Sequence, residues 1–227
     1  MKALRKICSI VNFPGWYKLA VGKSLSRWET IGKLQFDFLY DIGLQPENRL
    51  LDIGCGALRG GIHFIRYLHN GRYFGIDSDQ KLLDVGVKLL HKNNLVYKRP
   101  ILECVSDFRA SNMFTGGFKY IIAISLFSHF NAEQIKKCLK EVNNYLCKDG
   151  CFYATFFEVG NKSNRIRTFS DKNPYHYSFE EMKQICQEAG LCVNYMGNGD
   201  WGHPDGQRML VITKEKNDEK RNIQKQQ

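Results

Sequence analysis

Apolar residues recur at helical spacing from Ser26 to Asp41, where Trp28, Ile31, Leu34, Phe36, Phe38 and Leu39 mark an inner face and Gly43 a plausible stop. RLLDIG (Arg49 to Gly54) then reads as a buried strand that runs into a glycine turn, and GIHFIRYL (Gly61 to Leu68) as the helix it feeds. The alternation continues with a strand over 72–77, a helix over 80–92, strands over 101–105 and 119–127, and a helix over 132–146. After the turn CKDG come a strand over 151–157, a helix over 179–190 and two last strands over 191–196 and 208–214. Such alternation predicts an α/β fold: a mostly parallel sheet, helices on both faces, right-handed crossovers. The short connection between the last two strands makes that pair antiparallel.

At 227 residues and 43% hydrophobic, the chain has the size and core material of one domain. The pattern predicts a basic segment over 1–27, the domain over 28–214, and a tail over 215–227 that lacks apolar anchors and is expected to be disordered. No apolar run reaches the ~18 residues of a membrane span. The start is basic like an export signal, but Asn12, Pro14 and Gly15 break its apolar run and no small-residue cleavage site follows, so the expected location is the cytoplasm. Eight cysteines without a CxxC pair point to neither a zinc cluster nor a disulfide framework, and no metal site is expected.

Charge adds one feature. Of a formal +10, Lys2, Arg5, Lys6, Lys18, Lys23 and Arg27 all precede the first acid, Glu29. This segment is suited to weak contact with an anionic surface, and equally to being a solvated face. The chain lacks a recognisable RNA-binding module, which disfavours nucleic acid as the partner.

The chemistry concentrates where strand meets turn. Gly54 and Gly56 sit between a strand and a helix, where backbone turns sharply and approaches a ligand. A diphosphate site of the GxGxxG kind wants glycine where this chain has Arg59. Asp77 ends the second strand, in reach of ribose hydroxyls, and Asp107 with Phe108 follows the third, in reach of an adenine.

LLDIGCG, GID, VSDF, KYIIAISLF and LCKDGCFYATFF together resemble the seven-stranded class I methyltransferases from about Leu50 to Lys214. The resemblance implies a Rossmann-like, doubly wound sheet whose last strand is antiparallel, and S-adenosylmethionine as cofactor. It assigns Asp52, Gly54 and Gly56 to the methionine part, Asp77 with Ser78 to the ribose, and Asp107 with Phe108 to the adenine. Ser125, near the end of the fourth strand, joins the same set. Many members carry glycine at the position of Leu58; here Arg59, Gly60 and Gly61 imply a wider turn, with Arg59 facing the methionine carboxylate.

The acceptor is read by elimination. Methylation of base amino groups goes with an Asn/Asp-Pro-Pro-aromatic segment after the fourth strand, and SLFSHF (Ser125 to Phe130) has no proline. Carbon methylation of pyrimidines goes with a Pro-Cys nucleophile, and none of the five prolines precedes a cysteine. A hydroxyl acceptor needs a base, and His203, His129 and His176 are the candidates, in that order. NPYHYSFE and GDWGHPDGQRM read as polar, aromatic loops that roof a pocket. With WETIGKLQFDFLYDIGL, FSHF and ATFFE, they resemble small bacterial methyltransferases associated with surface polysaccharides or secondary metabolites, which implies O-methylation of a sugar or other small acceptor. Two other classes stay open: an RNA or protein methyltransferase using the basic segment, and a catalytically silent scaffold that keeps the cofactor pocket.

Overall fold

The computed structural model describes residues 17–18, 25–111, 117–159 and 174–214; most of the basic segment and the tail lie outside this set. Helix α1 (Leu25–Asp41) leads into β1 (Leu50–Ile53), α2 (Gly61–Tyr67), β2 (Tyr73–Asp77) and α3 (Gln80–Lys92). A 3-10 turn (Val96–Lys98), β3 (Ile101–Cys104), β4 (Phe118–Ala123) and a second 3-10 turn (Phe127–His129) follow. The chain continues through α4 (Ala132–Tyr145), β5 (Leu146–Glu158), β6 (His176–Tyr177), α5 (Phe179–Glu188), β7 (Leu191–Tyr195) and β8 (Arg208–Lys214).

The sheet order is β3-β2-β1-β4-β5-β8-β7. Strands β1 to β5 run parallel, and β8 is antiparallel to both of its neighbours, as the alternation predicts. An eighth strand appears within the expected aromatic loop, because His176 and Tyr177 pair in parallel with Phe157 and Glu158. The fourth strand is shorter than expected. It ends at Ala123, since Ser125 takes a positive φ of 60° and turns the chain into the Phe127–His129 turn. CKDG lies inside the span of β5 as a bulge: β5 advances from Leu146 to Cys151 while β4 advances from Phe118 to Tyr120.

Side-chain alternation along the strands fills two cores. Leu51, Ile53, Ile121 and Phe152 face Ile135, Leu139 and Val142 of α4 and Met182 of α5. Leu50, Tyr73, Ile122 and Tyr153 face Leu39 of α1, Phe64 of α2 and Leu83 of α3. Asp52 has the parity of Leu50, so its carboxyl enters the α1–α3 core, where it is buried. Asn131 and Ser178 begin α4 and α5 with capping boxes, each exchanging bonds with the Gln or Glu three residues on.

Candidate active site

At the carboxyl end of β1 the chain turns through Gly54 and Gly56, with φ of 78° and 54°. These values favour glycine. The Gly54 and Cys55 amides donate to the Ile76 carbonyl at 2.8 and 3.1 Å, which ties the turn to β2. A Cβ on Gly54 would lie 2.9 Å from Leu126 Cδ1, so the loop after β4 also seats on this glycine. Asp77, at the end of β2, accepts the Gly56 amide on Oδ2 at 2.8 Å and the Asp79 amide on Oδ1 at 2.9 Å. These two amides fix the orientation of the carboxylate at the end of the strand. Ser78 is exposed between Asp77 and Asp79.

Behind the turn, Asp52 accepts a bond from the Tyr73 hydroxyl at 2.7 Å. Burial is the largest influence on its carboxyl and pushes it up to about 7; Tyr73 and Arg59 oppose that rise, and Asp77 adds to it. Arg59 is likewise pushed down by burial, to about 10, against the pull of Asp52 and Asp205, and so stays a cation near neutral pH. Asp205, in the β7–β8 connection, pairs with Arg27 of α1. An alternation of charge therefore runs from β1 through the glycine turn to the β7–β8 loop and α1.

After β3, Asp107 is exposed and accepts the Arg109 amide at 3.2 Å. Phe108 takes a φ of 66° and meets Phe130 edge-on, with centroids 5.5 Å apart. A bulky side chain at this φ needs outside support. Tyr145 supplies it from α4: its hydroxyl donates to the Phe108 carbonyl at 3.0 Å and accepts the Ala110 amide at 2.8 Å.

After β4, the Ser125 amide donates to Thr155 Oγ1 at 2.7 Å, Thr155 donates to Gln207 Oε1 at 2.6 Å, and the Gln207 amide returns to Ser125 Oγ at 3.2 Å. Ser128 closes the loop by donating to the Ser125 carbonyl at 3.1 Å. This ring joins the ends of β4, β5 and β8. The sequence reading gave no role to Thr155 or Tyr145 and only a place in a loop to Gln207. The polar Thr155 within the apolar run CFYATFF was the available signal.

The three histidines take different environments. His203 is buried and stacks on Trp201 at 5.3 Å, and its Nδ1 accepts the Asp205 amide at 3.2 Å. His129 ends the 3-10 turn after β4 and is partly buried. His176 stacks on Phe157 at 5.1 Å, and its Nδ1 lies 2.9 Å from the Pro174 carbonyl. The Tyr175 amide donates to the Ser128 carbonyl at 2.8 Å, which brings the segment carrying His176 against the turn carrying His129.

Residues 50–150 match the family model described as a methyltransferase domain. An uncharacterized methyltransferase of Schizosaccharomyces pombe is 30% identical over 71 residues, a match that takes in 31% of this chain and 25% of that relative. Among solved structures, an S-adenosylmethionine-dependent methyltransferase from Clostridium acetobutylicum aligns at TM-score 0.61 and 13% identity, over 94% of this chain and all of that one. Magnesium protoporphyrin IX methyltransferase from Synechocystis PCC 6803 with bound S-adenosylhomocysteine aligns at TM-score 0.61 and 13% identity, over 84% of this chain and 87% of that one.

Proposed function

We propose that this chain, whose residues 50–150 match a methyltransferase domain on a Rossmann-like sheet, uses S-adenosylmethionine to methylate the oxygen of a small hydroxyl-bearing acceptor, a sugar unit first. The residues fit the cofactor. Gly54 and Gly56 give close backbone approach, Asp77 is oriented by two amides at the end of β2 to meet the ribose, and Asp107 with Phe108 takes the adenine end. Asp52 and Arg59 take the amino and carboxyl groups of the methionine part, and Ser78 and Ser125 complete the set. When bound, the cofactor supplies an electrophilic methyl. The chain's own work is to align the acceptor oxygen with it and to remove that oxygen's proton.

The observation that carries the reading is the proton arrangement on the histidines, inferred from their partners. A carbonyl only accepts, so the Pro174 contact fixes the proton of His176 on Nδ1 and leaves the Nε2 lone pair as its acceptor, as a base requires. In His203 the Nδ1 lone pair is engaged by the Asp205 amide, and a neutral ring then carries its proton on Nε2. The preference accordingly moves from His203 to His176, with His129 second.

The test is a screen of hydroxyl acceptors for methyl transfer, followed by variants on the acceptor found. His176→Gln is expected to lower turnover by about 10²- to 10⁴-fold with cofactor affinity retained, and His203→Ala to lower stability more than turnover. Asp77→Ala is expected to weaken S-adenosylhomocysteine by at least about tenfold in calorimetry. Full turnover by His176→Gln, or transfer to amines alone, would sink the proposal.

A further inference from the structure

Opposite the carboxyl ends of the parallel strands lies a surface of different character. From Val85 to Leu102 the sequence has no acid and carries Lys88, Lys92, Lys98 and Arg99. It also holds three of the four large apolar side chains most open to solvent among the described residues: Val87 at 43%, Val96 at 46% and Tyr97 at 62%. Val96 and Tyr97 lie in the 3-10 turn that follows α3, which the Leu95 amide ties back to the Leu90 carbonyl at 2.9 Å. The same corner receives the loop before β2. Gly71 donates to the Lys98 carbonyl at 2.7 Å, and next to it Arg72 is exposed, in a stretch from Ile53 to Ile76 that likewise has no acid.

We propose that this corner, with Val96 and Tyr97 at its tip and Lys92, Arg99 and Arg72 around them, docks the protein on an anionic lipid surface. Cations alone suit any polyanion. Exposed valines do not serve phosphate or base recognition, but apolar tips ringed by long basic side chains suit the boundary between lipid headgroups and acyl chains. Lys98 is drawn inward, its Nζ donating to the Leu68 carbonyl at 2.7 Å, and so fixes the turn that presents Tyr97. Glu47, on the neighbouring 45–48 turn, is the acid of that corner. Docking here leaves the glycine turn, Asp77 and Ser125 facing away from the surface, because they stand at the other ends of the same strands.

The experiment is co-sedimentation of the full chain with vesicles of phosphatidylcholine alone and of phosphatidylcholine with phosphatidylglycerol, at low and high salt. Binding is expected to the anionic vesicles only and to weaken with salt. The pairs Lys92→Gln with Arg99→Gln, and Val96→Ser with Tyr97→Ser, are each expected to lower partitioning by about tenfold, with thermal midpoint and S-adenosylhomocysteine affinity unchanged. Wild-type binding by both pairs would overturn the proposal and move the contact to another basic segment. Equal binding to neutral vesicles, no binding to either kind, or tighter binding to an RNA homopolymer that the Val96/Tyr97 pair leaves untouched would overturn it as well.

Discussion

Asp52 shows how a buried carboxyl at the edge of the candidate site bears on the stability of the fold. Its carboxyl stands where the strand pattern calls for an apolar side chain, with the Tyr73 hydroxyl as its hydrogen-bond donor. Because the folded-state value is raised to about 7 from the ordinary carboxylate value, the folded chain binds this proton more tightly than the unfolded chain does. Stability from this group is thus fully present below about pH 4 and is lost as pH rises to about 7, by up to about 1.4 kcal/mol per pH unit. Asp52→Asn keeps an acceptor for Tyr73 and removes the titration. Denaturant midpoints across that window are expected to give the variant a growing advantage over the wild type as pH rises, and parallel pH curves for the two would refute the assignment. Arg59 behaves differently, since burial lowers it only to about 10 and it remains charged throughout the same range.

At the scale of elements, α1 belongs with the glycine turn more than with any strand. Gly32 has no room for a side chain, since a Cβ there would meet the Arg59 carbonyl at 2.5 Å, and Gln35 packs onto Gly60 in the same way. Trp28 closes the contact from above, buried against Ala57 and Leu82 and met edge-on by Tyr17 at 5.0 Å. The helix therefore holds the turn that carries Gly56 and Arg59 in place. Gly32→Ala forces backbone apart and is expected to cost about 1 to 3 kcal/mol of stability. Because the displaced backbone is that of Arg59, S-adenosylhomocysteine affinity should fall as well. Calorimetry that finds the affinity intact in a destabilised Gly32→Ala would show that α1 braces the fold without shaping the turn.

Across the whole molecule, the site is assembled from the carboxyl ends of neighbouring parallel strands, where an open α/β sheet leaves its crevice. No described helix is long and apolar enough to cross a membrane. Deleting residues 1–12 is expected to leave S-adenosylhomocysteine affinity unchanged, because the residues proposed to hold the cofactor run from 52 onward; a marked loss by calorimetry would make that segment part of the binding site. The sequence by itself determined the order of strands and helices, the glycine turn and Asp77, because hydrophobic period, positive-φ glycines and a strand-ending acid are local properties of the chain. It misplaced the end of β4 and overlooked β6, because the left-handed Ser125 is held by Thr155 and Gln207 from β5 and the start of β8, and His176 pairs with Phe157 from a separate segment. The surroundings of the histidines were likewise decided only by tertiary structure, since Nδ1 of His176 lies against the Pro174 carbonyl while Nδ1 of His203 accepts the Asp205 amide, on two rings that look alike in the sequence.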